Sequence, residues 1–237
     1  MQKKKVSISK IVSVFVFLSL LFSVVFIIIR IHFAPGEAPP DDPQVKVKSD
    51  YSLMLIQCVL GVIVWTLPSL FRRRFNIVLP NSFLMMYFIF LYCAIYLGEV
   101  RNFYFVVPQW DTILHAFSGA MLGALGFSVV LLLNDTKKAL IHLSPLFVSI
   151  FAFCFAVTLG VFWEIYEFTF DGLLGLNMQK FMLEDKTPLL GRMALMDTMK
   201  DLIVDVVGAF AISLLGFLMM RKKPSWLLNF DIKKQTE

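Results

Sequence analysis

The chain contains 237 residues, of which 58% are hydrophobic and only 16% are charged, and its net charge at neutral pH is +5. Soluble globular domains contain about 45–50% apolar and about 25% charged residues, so this composition excludes a soluble cytosolic enzyme. Many basic residues lie beside the ends of apolar segments, which indicates a lipid bilayer rather than nucleic acid as the partner of the positive charge.

Six apolar segments are each long enough to cross a bilayer, whose hydrocarbon core of about 30 Å takes roughly 20 residues of helix. In chain order they are 11–31, 53–70, 82–98, 112–133, 145–170 and 197–220. Backbone groups in hydrocarbon must be paired within their own segment, which favours helices. The first segment follows a basic stretch, but its apolar run exceeds the roughly 7–15 residues of a signal peptide. We therefore predict an all-α integral membrane protein, a six-transmembrane helix bundle in which residues 1–237 form a single polytopic domain.

The positions of lysine and arginine predict the orientation of these helices, because basic residues near helix ends favour the cytoplasm. With six spans both termini share one side, and that side holds 14 of the 22 basic residues. The other side holds the remaining eight, which are Arg30, Lys46, Lys48, Arg101, Lys180, Lys186, Arg192 and Lys200. Both termini are therefore predicted to be cytoplasmic.

Acidic residues follow the opposite distribution. Of the 17 carboxylates, 14 fall on the predicted outer side, and only Asp135, Asp231 and Glu237 fall on the cytoplasmic side. Asp and Glu contribute little to topology, so the orientation of the helices does not require this asymmetry. A functional site on the outer face is one explanation for it.

The fourth and fifth predicted helices bring ionisable side chains to the outer boundary. Asp111 and His115 are spaced i, i+4 and therefore share one helix face. Glu164 and Glu167 are spaced i, i+3 near a helix C-terminus, where carboxylates oppose the helix dipole. A helix cap at Asp111, a hydrogen-bonded core position for His115 and interfacial solvation of the glutamates are the structural alternatives to a functional role.

The sixth predicted helix carries Asp197, Asp201 and Asp205 at successive i+4 steps. A helix cap explains Asp197, and Asp201 lies where the dipole still favours negative charge. Asp205 lies roughly 12 Å deeper than Asp197. An aspartate within a membrane costs about 2.5–3.5 kcal/mol on insertion scales and usually faces a cavity or a partner. Lys200 and Arg101 are the only basic residues expected nearby, so these carboxylates need a cation, a proton or a basic partner.

Together these side chains predict an acidic site at the outer face. An oxygen-rich site with one imidazole suits Mg²⁺, Mn²⁺, Ca²⁺ or Fe²⁺, and Zn²⁺ is a further candidate. The predicted catalytic residues are His115, Glu164 and Glu167. The predicted ligands of the divalent metal ion are His115, Glu164, Glu167, Asp201 and Asp205. A carboxylate–histidine proton relay through the same residues is the alternative.

Five ordered motifs occur between the third and the sixth predicted helices. They read LGE at 97–99, WDTILHAFSG at 110–119, WEIYEF at 163–168, GLNMQ at 175–179 and DTMKDLIVDVVGA at 197–209. This set resembles bacterial inner-membrane proteins of the YjdF type, a family without an assigned activity. The sixth-helix pattern and the order His, Glu, Asp are also similar to VanZ-like envelope proteins. The resemblance implies the fold and a multi-pass location in the bacterial plasma (inner) membrane.

Three functions are compatible with such a site. A membrane-embedded enzyme would use metal-bound water as the nucleophile on an envelope or lipid-linked substrate, with Glu164 or Glu167 as general base. A cation- or proton-coupled transporter would use Asp205 and His115 to bind the transported ion. A non-catalytic membrane scaffold would keep the acidic cluster as a structural cation site.

Overall fold

The computed structural model describes residues 7–37, 39, 41–42, 45–133, 143–183, 187–230 and 233–234. Within these residues, six helices are long and apolar enough to cross a membrane. The chain divides into two compact units, Met1–Trp110 with Lys233–Glu237, and Asp111–Ile232.

The first unit contains three of the six long helices and a small sheet. Its helices are α1 (Ile8–Phe33), α2 (Lys48–Phe75) and α3 (Asn81–Leu91), which continues as a π-helix over Tyr92–Val100, followed by the short α4 (Phe103–Val106). Strand β1 (Ile77–Val78) pairs antiparallel with β2 (Lys233–Lys234). The side chain of Ser7 accepts a hydrogen bond from the backbone N–H of Lys10, which caps the start of α1.

Polar atoms inside the first unit find partners on neighbouring helices. The indole N–H of Trp65 donates to the backbone oxygen of Ser13 at 2.9 Å, and the Tyr87 hydroxyl donates to the backbone oxygen of Val64 at 2.6 Å. Such pairing lets amphipathic aromatic side chains lie within an apolar bundle without an unpaired donor.

The second unit contains α5 (Trp110–Leu133), α6 (Pro145–Leu174) and α7 (Arg192–Lys222), and a 3₁₀ helix over Pro224–Phe230 follows α7. Helix α6 begins at Pro145, a position where the helix does not use the backbone N–H that proline lacks. The side chain of Ser144 caps its first turn. The helix ends at Gly175, which adopts a left-handed conformation with φ of 65° and donates its N–H to the Asp171 carbonyl.

Glycines bring the backbones of the second unit into close contact. A Cβ atom on Gly119 of α5 would lie 2.6 Å from the backbone oxygen of Asp205 on α7, and one on Gly208 would lie 2.6 Å from the backbone oxygen of Ala116. A Cβ atom on Gly126 would lie 2.7 Å from the Cα atom of Ala152 on α6. Small residues permit such approaches between membrane helices, and they place polar side chains of different helices within reach of each other.

Large apolar side chains project outward along the long helices of both units. Phe22 on α1, Phe162 on α6 and Val207 on α7 are all well exposed. A lipid bilayer accommodates such a surface, whereas water does not.

The predicted class and the number of spans are confirmed, but the helix ends differ from the prediction. Helix α7 begins at Arg192 after Gly191, so the interpretation of Asp197 as its N-terminal cap is wrong. The hydropathy pattern marks only the apolar part of a helix, and polar residues extend α2 and α7 at both ends. The single domain and the cytoplasmic termini stay predictions.

Several residues used in the topology prediction lie outside the described residues. They are Lys3, Lys4, Lys5, Asp135, Lys137, Lys138, Glu184, Asp185, Lys186, Asp231 and Glu237.

Labelling of single cysteines in intact cells tests the predicted orientation, after the three native cysteines are replaced. We expect a membrane-impermeant maleimide to label cysteines placed at Asp41, Arg101 or Glu184, because the basic residues put these positions outside. Cysteines at Arg73 or Lys137 are expected to react only after the membrane is permeabilised. Labelling at Lys137 in intact cells contradicts the six-span orientation.

Candidate functional site

Helices α5 and α7 of the second unit bring a histidine and three aspartates together. Asp111 and His115 lie on α5, and Asp201 and Asp205 lie on α7. Asp201, Asp205 and His115 are only 2%, 4% and 7% exposed, respectively. Little solvent reaches these ionisable groups, so any charge on one of them has to be stabilised by the others.

The imidazole of His115 lies between the three aspartates. Its Nδ1 atom is 3.3 Å from Oδ2 of Asp205. Its Nε2 atom is 3.8 Å from Oδ1 of Asp111 and 4.0 Å from Oδ2 of Asp201. One ring nitrogen thus has a close carboxylate partner, and the other faces a space between two carboxylates.

The space at Nε2 has the dimensions of an ion site. Both separations exceed the roughly 2.7–3.2 Å of a direct hydrogen bond, so neither carboxylate is hydrogen-bonded directly to Nε2. Ligand atoms of Asp111, His115 and Asp201 lie within 4.8 Å of one another. This spread fits one ion with metal–ligand distances of about 2.0–2.6 Å. Oδ1 of Asp201 is buried and has no hydrogen-bond partner among the described residues, so its acceptor capacity is unused.

Asp205 is held in place by two other helices. Ser118 of α5 donates its hydroxyl to Oδ1 of Asp205 at 3.2 Å. On α6, a Cβ atom at Gly160 would lie 2.7 Å from Oδ2 of the same carboxylate, so only glycine leaves that oxygen room. A carboxylate fixed on one ring nitrogen orients the imidazole and leaves the other nitrogen for a ligand.

Glu164 and Glu167 of α6 are both buried. Neither carboxylate oxygen of Glu164 has a hydrogen-bond partner among the described residues. The nearby amide of Gln179 donates instead to the Thr198 hydroxyl at 2.7 Å. Both glutamates are close enough to His115 to interact with it electrostatically. They therefore add two acidic groups to the surroundings of the imidazole.

Side chains of α6 and of the following residues fix the backbone of residues 177–182. Both carboxylate oxygens of Asp171 accept backbone N–H groups, from Met178 at 2.8 Å and from Gln179 at 2.9 Å. The Asn177 side chain exchanges two hydrogen bonds with the backbone of Met182. These bonds define the backbone on both sides of Lys180, which adopts a left-handed conformation with φ of 48°.

Lys180 is a basic partner of two carboxylates in this unit. Its ammonium contacts the carboxylate of Asp111 and lies 3.7 Å from Oδ2 of Asp197. Burial alone lowers the pKa of this lysine, but Asp111 and Asp197 outweigh burial and hold its pKa above the ordinary value. Lys180 therefore stays protonated. The prediction that Lys200 and Arg101 are the only basic residues nearby is wrong.

All five predicted ligands are buried in the second unit. Asp201 and Asp205 contact His115, whereas Glu164 and Glu167 interact with it over a longer range. Their roles as ligands or catalytic groups stay predictions.

Two residues of the cluster are not distinguished by the sequence. Asp111 shares a helix face with His115, a spacing that signals proximity but does not separate a ligand from a cap. Lys180 lies in a loop without a periodic pattern, so no local signal identifies it.

The fold and the cluster define a multi-pass membrane protein with a buried carboxylate–histidine cluster in its second unit. The chain belongs to the family described as "Predicted membrane protein (DUF2238)", which it matches over residues 12–222. The YjdF-type proteins form this family, so the predicted resemblance is confirmed. The likeness to VanZ-like proteins stays a prediction.

The chain is also similar to an uncharacterized protein from Thermotoga maritima, with 31% identity over 128 residues. This alignment covers 54% of the chain and 56% of the relative, so the chain spans about half the length of that relative. No solved structure matches the chain.

Proposed function

We propose that Asp111, His115 and Asp201 bind a divalent metal ion in a membrane-embedded enzyme. The observation that supports this most is the arrangement at Nε2 of His115, which faces two carboxylate oxygens at 3.8 and 4.0 Å. Two carboxylates and one imidazole form the donor set expected for Mg²⁺, Mn²⁺, Ca²⁺, Fe²⁺ or Zn²⁺.

The neighbouring residues have complementary roles in this proposal. Asp205 is a positioning residue, because it contacts Nδ1 and leaves Nε2 of His115 for the ion. The ammonium of Lys180 contacts one carboxylate oxygen of Asp111 and balances its negative charge, while the other oxygen faces the imidazole. Glu164 and Glu167 are candidates for the general base. A divalent ion held by these residues would lower the pKa of a bound water and so supply a nucleophile.

The surroundings of the cluster support an envelope or lipid-linked substrate. The proposed ligands and Asp205 belong to α5 and α7, which are long and apolar enough to cross a membrane. A substrate that is itself anchored in lipid reaches such a site without leaving the bilayer. We place the protein in the bacterial plasma (inner) membrane, as its resemblance implies.

A cation- or proton-coupled carrier is the second candidate, and one observation favours it. Lys180, Asp111, His115 and Asp205 form a continuous series of charged or titratable groups in which each is within 4 Å of the next. Proton pathways in membrane proteins use series of this kind. In the carrier, the cluster binds the transported ion only transiently.

Thermal unfolding of purified protein, with each of the five cations in turn, tests the metal site. We expect one of them to stabilise the wild type by about 2.7 kcal/mol when its concentration is 100 times its Kd. Asp201→Asn is expected to abolish this gain, because it removes the charge of a predicted ligand. Without cation the variant is expected to be at least as stable as the wild type, since the carboxylate of Asp201 is buried and its Oδ1 atom has no hydrogen-bond partner among the described residues.

Asp42→Asn is the matched control, because Asp42 is an exposed residue of the first unit. It is expected to keep the full stabilisation by the cation. If no cation stabilises the wild type, or if Asp201→Asn keeps the gain, the metal site is wrong and the proton relay becomes the better explanation.

A further inference from the structure

A groove opens where α6, α7 and the loop between them meet. It is a cavity of about 630 Å³, and Val161, Ile165, Phe168, Leu195 and Leu202 supply most of its apolar wall. The side chains of Ile165, Phe168 and Leu195 are more than half exposed. Small-molecule sites in proteins typically have volumes of about 300–1,000 Å³ and mostly apolar walls, so the groove has the size and character of a ligand site.

One polar group in the groove has no hydrogen-bond partner among the described residues. Glu164 is among the lining residues and is 4% exposed, and both of its carboxylate oxygens are buried without a hydrogen-bond partner among the described residues. The groove also contains Asp171, but both of its oxygens accept backbone N–H groups of the loop. A buried acceptor without a donor costs free energy, so Glu164 marks the point where a ligand gains a hydrogen bond.

The charge of the groove limits what this ligand is. Among the described residues that line it, none is a lysine, an arginine or a histidine, and two are acidic. A phosphate or carboxylate at the polar end of a ligand therefore finds no cationic partner among these residues. A hydroxyl donates a hydrogen bond to the carboxylate without introducing negative charge.

We propose that this groove binds a neutral, hydroxyl-ended lipid, with its hydrocarbon chain between α6 and α7 and its hydroxyl donating to Glu164. The groove deepens the proposed function by naming a substrate class for the neighbouring cluster, and in that role it rests on the metal-site proposal. Binding of the lipid itself requires only the groove. The hydrocarbon chain replaces bilayer contacts at the exposed rim, and the hydroxyl satisfies the buried carboxylate.

Photolabelling of the full-length protein in detergent tests this proposal, with a monoacylglycerol that carries a diazirine in its acyl chain. We expect saturable labelling of peptides that contain Phe168 or Leu195. The matching methyl ester, which cannot donate, and the matching fatty acid, which is anionic, are expected to need at least about tenfold higher concentrations, the loss that corresponds to one hydrogen bond to a charged group. Glu164→Leu is expected to remove the preference for the monoacylglycerol.

A variant pair on α7 controls for the fold. Ala194→Trp fills the groove from its wall and is expected to abolish saturable labelling, whereas Val207→Trp changes an exposed residue outside the groove and is expected to preserve it. Equal labelling by the three probes, or full labelling of Ala194→Trp, overturns the proposal.

The two proposals fail in distinguishable ways. If only the metal site is wrong, labelling persists while no cation raises the unfolding temperature. If only the groove is wrong, the cation raises that temperature but the probe labels without saturation.

Discussion

Gly119→Ala is expected to lower the free energy of unfolding by about 1–3 kcal/mol, the usual cost of forcing an extra group into a packed interior. The new Cβ atom would lie 2.6 Å from the backbone oxygen of Asp205 and 3.1 Å from its Cα atom. Backbone atoms cannot turn aside as the end of a side chain can, so α5 and α7 have to separate. The separation of the two helices also moves His115 away from Asp205. Thermal unfolding in detergent measures the change in the free energy of unfolding.

Gly172→Ala is the matched control, because no atom lies within 4 Å of a Cβ atom at that position of α6. It is expected to unfold at the temperature of the wild type or slightly above, since alanine favours a helix over glycine. Equal unfolding temperatures for Gly119→Ala and Gly172→Ala contradict the close contact between α5 and α7.

Asp205→Asn is expected to weaken the binding of the stabilising cation by about 10–100-fold, the usual effect of removing the partner that orients a metal-binding histidine. Asparagine keeps nearly the same shape and still accepts the hydrogen bond of Ser118. It removes the negative charge 3.3 Å from Nδ1 of His115, so the imidazole is a poorer and less well oriented ligand. Titration of the unfolding temperature with cation gives the apparent Kd.

Asp197→Asn provides the comparison on the same helix. Asp197 lies near Lys180, with Oδ2 at 3.7 Å from its ammonium, and it is half-buried rather than buried. Its replacement is expected to change the apparent Kd by less than Asp205→Asn does. The role of Asp205 in orienting His115 is refuted if both variants bind the cation like the wild type.

The sequence predicts the spans well because each span is a continuous run of about 20 apolar residues, which is visible without any knowledge of the tertiary structure. It does not predict their ends, since α7 begins with the polar Arg192 and contains Asp197 in its second turn. The hydropathy of the apolar run does not report such a polar extension.

For the candidate site, the sequence predicts which residues lie near one another but not which atoms are in contact. Helical spacing brings Asp111 next to His115, and the topology brings Asp205 to the same level, although 90 residues separate it from His115. Which ring nitrogen each carboxylate faces depends on the packing of α5 against α7. The place of Lys180 depends on hydrogen bonds within a loop, and these have no sequence period.

Helix α6 contacts both the Asp205 carboxylate and the groove of the second unit. Gly160, the wall behind the Asp205 carboxylate, lies one helical turn before Glu164, which lines the groove. Because a helix moves as a rigid rod over one turn, a rotation of α6 that widens the groove also shifts the surface against which Asp205 rests. The orientation of the His115 ring and the width of the groove are therefore not independent quantities in this molecule.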